Sequence, residues 1–212
     1  MKSPIVRVAR TVLVIFNDPA YTPFSAKRMR TSPCRPICPD SQLPGNAYRN
    51  PCNERKHMDN PFMARAIQLS LDNVLSGQGG PFGAVIVKDS KIIAEGVNRV
   101  TIDNDPTAHA EIVTIREACA RLNSFTLKDC EIYTSCEPCP MCLGAIYWAH
   151  LSRIHFGNFA ADASKVGFDD SFIYQQIARP FSQRKIPMLQ MMREEALAAF
   201  RSWQEKPNKI PY

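Results

Sequence analysis

Metal-binding side chains at the start of two predicted helices are the feature that most restricts how this chain can fold. His109 and Glu111 lie at the start of one helix, and thirty residues after His109 come Cys139 and Cys142 at the start of another. Unpaired N–H groups and the positive end of the helix dipole stabilise thiolates at such positions. One imidazole and two thiolates bind a common ion only if the two helix starts meet. The fold must therefore bring them together.

The donor set predicts a catalytic zinc site. A structural zinc site is normally closed by a fourth protein ligand, whereas a catalytic site keeps one position open for water. His109, Cys139 and Cys142 supply three ligands. Glu111 lies two residues after His109, which separates the two side chains by roughly 200° on an ideal helix. Only the geometry of the first turn can bring Glu111 to the metal, where it would act on bound water.

Two other interpretations explain fewer of these residues. A redox pair made by Cys139 and Cys142 leaves His109 and Glu111 without a role. A non-catalytic zinc module requires neither Glu111 nor an open metal position. The order H-x-E followed by P-C-x-x-C is typical of zinc-dependent deaminases. The remaining cysteines and histidines of this region are predicted to be structural: Cys119, Cys130, Cys136, His150 and His155.

Helix and strand patterns alternate from Met58 onward. Asn60 and Pro61 predict the start of the first helix, as N-cap and first helical residue. The predicted helices are 61–76, 108–122 with Thr107 as N-cap, 140–149, 169–178 and 193–205, and the predicted strands are 84–87, 92–97, 131–134, 153–157 and 187–191. Helices between strands imply crossover connections and a sheet covered on both faces. We therefore expect a three-layer α/β/α sandwich around a five-stranded mixed sheet.

The first 57 residues differ in composition from the remainder. They contain eight of the seventeen prolines and carry a formal charge of +7, against −1 for residues 58–212. We interpret residues 1–57 as a disordered, basic extension and residues 58–212 as the catalytic domain. A start codon placed upstream of a true start at Met58, and a small zinc knuckle containing Cys34 and Cys38, are the alternatives. The near-neutral second part argues against a nucleic-acid partner.

A membrane segment is not predicted. No apolar run exceeds the five residues of Val12 to Phe16, which is far shorter than the roughly 20 residues needed to cross a bilayer and too short for the apolar core of a signal peptide. We therefore expect a soluble, cytoplasmic protein with no membrane partner.

Several longer motifs resemble a known family. They are P-F-G-A-V-I-V-K-D at 81–89, N-D-P-T-A-H-A-E at 104–111, T-S-C-E-P-C-P-M-C-L-G-A-I-Y-W-A at 134–149, G-F-D-D-S-F-I-Y at 167–174 and the terminal Tyr212. From Met58 to its end the chain resembles the cytidine-deaminase-like superfamily and, within it, the bacterial guanine deaminases. The zinc motifs are shared across the superfamily, whereas G-F-D-D and Tyr212 favour the guanine branch.

The resemblance implies an activity and further site residues. It implies zinc-dependent deamination of guanine to xanthine and ammonia, with one zinc ion per chain and Glu111 as the proton carrier. It also implies that Asn98 holds the base, that Asp170 contacts the amino edge and relays protons, and that Tyr212 closes the site. The family pattern is a homodimer in which the C-terminal segment crosses to the partner.

Alternatives to these assignments stay open at the level of sequence. Asp170 is also a natural N-cap for the helix that follows it, and Tyr212 a frayed end. Guanosine or another nucleoside, and then tRNA adenosine, are the alternative substrates.

Overall fold

The computed structural model describes residues 60–211. Our expectations for residues 1–57, including their cysteines, and for the position of Tyr212 fall outside this range. The elements in chain order are α1 (Pro61–Leu75), β1 (Gly83–Lys88), β2 (Lys91–Val97), α2 (Val100–Asp103), α3 (Ala110–Leu122), β3 (Glu131–Cys136), α4 (Pro140–Trp148), β4 (Arg153–Asn158), α5 (Ala160–Lys165), α6 (Ser171–Ala178), a 3-10 turn (Phe181–Gln183) and α7 (Arg193–Glu205).

Helix α1 begins where the sequence predicts. The side-chain oxygen of Asn60 accepts hydrogen bonds from the backbone N–H groups of Phe62 and Met63, both at 3.0 Å. Pro61 occupies the first helical position, where a missing N–H costs nothing. The helix ends at Leu75, before Gly77, whose φ of +70° lies in the left-handed region that favours glycine.

The described strands form one mixed sheet in the order β2-β1-β3-β4. Strand β1 is antiparallel to β2 and to β3, whereas β3 and β4 are parallel. Asp89 and Ser90 connect β1 to β2 with positive φ angles of 49° and 60°, which is the two-residue hairpin turn that matches strand twist. The parallel pair needs a crossover, and α4 supplies it.

Helices contact both faces of the central strand. Ala84 and Ile86 of β1 pack in a core with α3 and α4. The alternate side chains, Val85 and Val87, pack in a second core with α1. Burial on both sides explains why β1 is apolar from Gly83 to Val87 and does not alternate with polar residues.

The predicted fifth strand at 187–191 is wrong, since the sheet of the described residues has four strands. Leu189 and Met191 are 84% and 77% exposed, and Pro187 lacks the N–H that a strand would donate to a neighbour. A short apolar run does not by itself distinguish a buried strand from an apolar surface segment. Two short helices, α2 and α5, were also not predicted.

Strand β2 and helix α3 approach each other closely at Gly96. A Cβ atom at this position would lie 2.9 Å from the carbonyl oxygen of Ala110 and 2.9 Å from the backbone nitrogen of Thr114. Both atoms belong to the first turns of α3. Glycine at position 96 therefore sets the distance between the sheet and the helix that follows His109.

None of the helices in residues 60–211 has both the length and the apolar character needed to cross a membrane.

The close approach at Gly96 leads to a stability prediction. Gly96→Ala should lower the free energy of unfolding by about 1–3 kcal/mol, because the new methyl group overlaps backbone atoms of α3. Urea denaturation followed by circular dichroism measures the change. Gly144→Ala is the matched control, because a Cβ there meets nothing within 4 Å and alanine favours the helix. Equal stability of the two variants would contradict the assigned role of Gly96.

Candidate active site

His109 is the residue immediately before α3. Its backbone is extended, with φ of −67° and ψ of 157°, so it is the N-cap and not part of the helix. Thr107, predicted as the N-cap, instead donates its hydroxyl to Asp105 at 2.7 Å. The extended backbone at position 109 explains how His109 and Glu111 reach the same site, because the separation of an ideal helix does not apply to them.

Cys139 occupies the equivalent position before α4, with φ of −64° and ψ of 168°. Both cysteine Sγ atoms, of Cys139 and Cys142, lie 3.5 Å from Nδ1 of His109. The three ligand atoms lie within 4.8 Å of one another. A tetrahedral ion with Zn–N of about 2.0 Å and Zn–S of about 2.3 Å separates nitrogen from sulfur by about 3.5 Å. The residues present therefore fit zinc.

The two cysteines of this group differ in the direction of their pKa shifts. The neighbouring Cys142 and the imidazole of His109 lower the pKa of Cys139 to about 4. The neighbouring Cys139, together with burial, raises the pKa of Cys142. The contact between His109 and Cys139 raises the pKa of His109. A divalent cation displaces the thiol protons and holds both sulfurs as thiolates.

Glu111 lies directly beside the ligand group and is 5% exposed. Its Oε1 accepts a hydrogen bond from the Thr134 hydroxyl at 2.9 Å, and its Oε2 accepts one from the Cys142 thiol at 3.4 Å. Burial raises the pKa of Glu111 above that of an ordinary carboxyl. A raised pKa lets this carboxyl hold a proton more readily than an ordinary glutamate, which suits a group that both accepts and donates protons.

A cavity of about 710 Å³ opens beside these groups, with His109, Glu111 and Cys139 in its wall. This volume lies within the usual range for small-molecule sites, roughly 300–1,000 Å³. The rest of the wall includes Phe82, Asn98, Cys136, Phe168, Asp170 and Ile173. The cavity therefore brings two of the three proposed metal ligands together with two of the three predicted substrate-binding residues.

Asn98 follows the end of β2 and is 8% exposed. Its backbone carbonyl accepts a hydrogen bond from the Asn73 side chain at 2.9 Å, and its side-chain oxygen accepts one from the N–H of Val100 at 3.3 Å. The side-chain NH2 of Asn98 donates to no other residue of the described chain. It can therefore donate to a molecule in the cavity.

Asp170 precedes α6 but does not cap it with its side chain. The neighbouring Asp169 instead accepts the N–H of Ser171, the first residue of α6, at 3.0 Å. The Asp170 carboxylate lines the cavity instead, and burial raises its pKa. The alternative interpretation of Asp170 as a capping side chain therefore has no hydrogen bond to support it. Glu137 accepts the N–H of Ala160 at the start of α5, at 3.0 Å.

Sequence reasoning missed Thr134 and the aromatic pair Phe82 and Phe168. The two rings meet edge to face, with centroids 4.9 Å apart. Thr134 lies opposite Ala84 in the sheet and is fully buried. A polar residue on the apolar face of a buried strand is a signal that could have found it, because a buried hydroxyl requires a partner.

The known proteins that this chain resembles include deaminases of two kinds. The family model for the cytidine and deoxycytidylate deaminase zinc-binding region matches residues 56–158. Guanine deaminase from Bacillus subtilis is 54% identical over 151 residues, which cover 71% of this chain and 97% of that protein. A tRNA-specific adenosine deaminase from Haemophilus influenzae is 35% identical over 122 residues, covering 55% of this chain and 70% of that protein.

Two solved structures of guanine deaminases are similar to this fold. The X-ray structure of the Bacillus subtilis guanine deaminase matches with a TM-score of 0.70 at 54% identity, covering 71% of this chain and 96% of that one. Guanine deaminase from Nitrosomonas europaea matches with a TM-score of 0.50 at 29% identity, covering 68% and 84%. With a relative at this identity matched over almost its whole length, the chain belongs to the guanine deaminase family of the cytidine-deaminase-like, zinc-dependent deaminases.

Proposed function

We propose that this protein catalyses the hydrolytic deamination of guanine to xanthine and ammonia, with one zinc ion per chain. The observation that carries the proposal is the buried Glu111 carboxyl, which lies in the wall of a cavity beside His109, Cys139 and Cys142. The 54% identity to the Bacillus enzyme supports guanine as the substrate.

The chemistry divides between the metal and Glu111. Zinc, when bound, supplies a water molecule acidic enough to attack at neutral pH. Glu111 takes up a proton from the attacking water and passes it to the ring nitrogen next to C2 of guanine, which makes that carbon more electrophilic. A second proton transfer lets the amino group leave as ammonia. The raised pKa of Glu111 suits a group that must both accept and donate.

Substrate choice rests on two polar groups in the cavity wall. The N1–H and the exocyclic amine of guanine are donors, and the Asp170 carboxylate is an acceptor with no capping duty. The unpaired NH2 of Asn98 is a donor for the acceptor atoms of the base. Phe82 and Phe168 add apolar surface for the ring system. A base with a different edge would leave these groups unpaired, which is costly in a buried site.

We further propose a homodimer in which the C-terminal segment crosses to the partner and Tyr212 closes the neighbouring cavity. Helices α6 and α7 bury no residue within the described chain. Phe200 is 72% exposed and Ile177 is 59% exposed. Exposed large apolar side chains on neighbouring helices are typical of a protein–protein interface. A second copy of the chain would cover it.

Four finer assignments remain proposals. Residues 58–212 form the catalytic domain and residues 1–57 an extension outside it, because the Bacillus relative is matched almost completely by 151 residues of this chain. The architecture is a three-layer sandwich, which the two cores on opposite sides of β1 support. A location in the cytoplasm and the absence of a nucleic-acid partner follow from composition, including a charge of −1 over residues 58–212.

Ammonia release from a panel of guanine, guanosine, cytidine, cytosine and an adenosine-bearing tRNA hairpin tests the substrate. Guanine should give the highest kcat/KM. Asp170→Asn should lower kcat/KM for guanine by at least about 100-fold while zinc stays bound. The amide keeps only one of the two carboxylate oxygens that can accept hydrogen bonds from guanine. Asp169→Asn is the control, since Asp169 also lines the cavity but its side chain is bound to the N–H of Ser171, a bond that asparagine can keep. Faster turnover of the hairpin, or equal loss in both variants, would contradict the assignment.

Two substitutions separate metal binding from proton transfer. Cys142→Ser should lose zinc and activity together, because a ligand is removed. Glu111→Gln should keep one zinc per chain and lose about 100- to 10,000-fold in kcat, because the amide cannot carry the proton. Metal analysis by mass spectrometry and steady-state kinetics give the two readouts. A fully active Glu111→Gln enzyme would show that another group moves the proton.

Mixed dimers test the exchange of C-terminal segments. Glu111→Gln chains should be co-expressed with chains truncated before Pro211, each inactive alone. Mixed dimers should recover part of the activity, because the truncated chain contributes the intact site and the variant contributes Tyr212. Differently tagged chains verify that mixed dimers form. Verified mixed dimers without activity would mean that Tyr212 acts within its own chain or has no role.

A further inference from the structure

The strongest unassigned contact of the site is the hydrogen bond from the Thr134 hydroxyl to Oε1 of Glu111, at 2.9 Å. Thr134 lies on β3 and is fully buried. We propose that Thr134 is a positioning residue for deamination, which holds the Glu111 carboxylate so that its other oxygen serves the reaction. This inference rests on the proposed role of Glu111 as proton carrier.

The position of Thr134 in the sheet makes its hydroxyl unusual. The residue pairs with Ala84 of β1 and with Phe156 of β4, and Ile132 precedes it on the same face of β3. Ile132 and Ala84 belong to the apolar core that packs against α3 and α4. A valine would fill this place without any polar atom. A hydroxyl here must find a partner, and Glu111 provides it.

The two oxygens of Glu111 are thereby given different surroundings. Oε1 faces the sheet and accepts from Thr134, whereas Oε2 lies 3.4 Å from Sγ of Cys142, on the side of the metal ligands. When Cys142 binds a metal ion as a thiolate it has no proton to donate. Thr134 then remains as the side-chain donor to the carboxylate among the described residues. It fixes which oxygen turns toward the ligand group.

A positioning role differs from a purely structural one in what its loss affects. Without the hydroxyl, the carboxylate can rotate about its last side-chain bond, which changes the direction of proton transfer but not the shape of the cavity. Turnover should then fall while guanine binding and zinc content stay unchanged. Second-sphere partners of metal sites typically contribute about 10- to 100-fold to activity or metal affinity.

The experiment compares two substitutions of Thr134 in the zinc-loaded full chain. Thr134→Val replaces the hydroxyl by a methyl group of similar size, and Thr134→Ser keeps the hydroxyl. We expect Thr134→Val to lower kcat for guanine about 10- to 100-fold, with KM and zinc content close to wild type, and Thr134→Ser to retain most of the turnover. If Thr134→Val does not fold, Thr134→Ala against Thr134→Ser gives the same comparison at a smaller volume.

A double variant tests whether Thr134 acts through Glu111. In a Glu111→Gln background, Thr134→Val should cost no further activity, because both changes disable the same step. Wild-type kcat for Thr134→Val, equal loss in the serine and valine variants, zinc loss in parallel with activity, or a further loss in the double variant would each overturn the inference. A Glu111→Gln enzyme with full activity would instead overturn the proposed role of Glu111 itself.

Discussion

The meeting of two helix starts at one edge of the sheet is the constraint on which the rest of this molecule depends. His109 and Cys139 each occupy the last extended position before a helix, and Arg99, just after β2, donates its N–H to the carbonyl of Ala108 at 2.9 Å. This hydrogen bond ties the start of α3 to the end of β2. The close contact at Gly96 likewise holds α3 near β2. Small changes in the packing of α3 therefore move His109 directly.

The fold buries the carboxyl group of Glu111 beside the candidate metal ligands, at a cost in free energy. A buried carboxyl such as Glu111 loses favourable hydration, and the loss is only partly offset by hydrogen bonds from Thr134 and Cys142. The apolar cores that contain Ile86 and Val85 contribute the stability that permits this. Unfavourable burial of this kind is common at reaction sites, because it tunes the proton affinity that the chemistry requires.

The residues of the metal site could be predicted from sequence because their types and spacing carry the chemistry by themselves. His109, Cys139 and Cys142 need no knowledge of the sheet to be recognised. The approach of Glu111 could not be derived in the same way, because it depends on the extended backbone at position 109. Thr134 was missed because its partner lies 23 residues away and is brought close only by the fold.

The errors in the predicted fold have a different origin. The run at 187–191 has the apolar character of a strand but lies in a C-terminal region whose apolar side chains are exposed in the single chain. A surface segment that is apolar has the same sequence pattern as one buried in the core of its own chain. Single-sequence periodicity therefore cannot assign such a segment to a layer. The side-chain direction of Asp170 could not be predicted either, because both Asp169 and Asp170 lie at the start of α6 and only Asp169 binds a backbone N–H there.

The thiol groups of the candidate metal site have a consequence for how the protein acquires its metal. A cysteine binds a metal ion as a thiolate, so the Cys142 thiol, whose pKa is raised, must lose its proton when a cation binds. Metal and proton are therefore competitors, and each ion that enters must release protons to the solvent. Acidification weakens metal capture for this reason, even where the fold itself is unaffected. A newly made chain would fill its site more readily in a neutral compartment than in an acidic one.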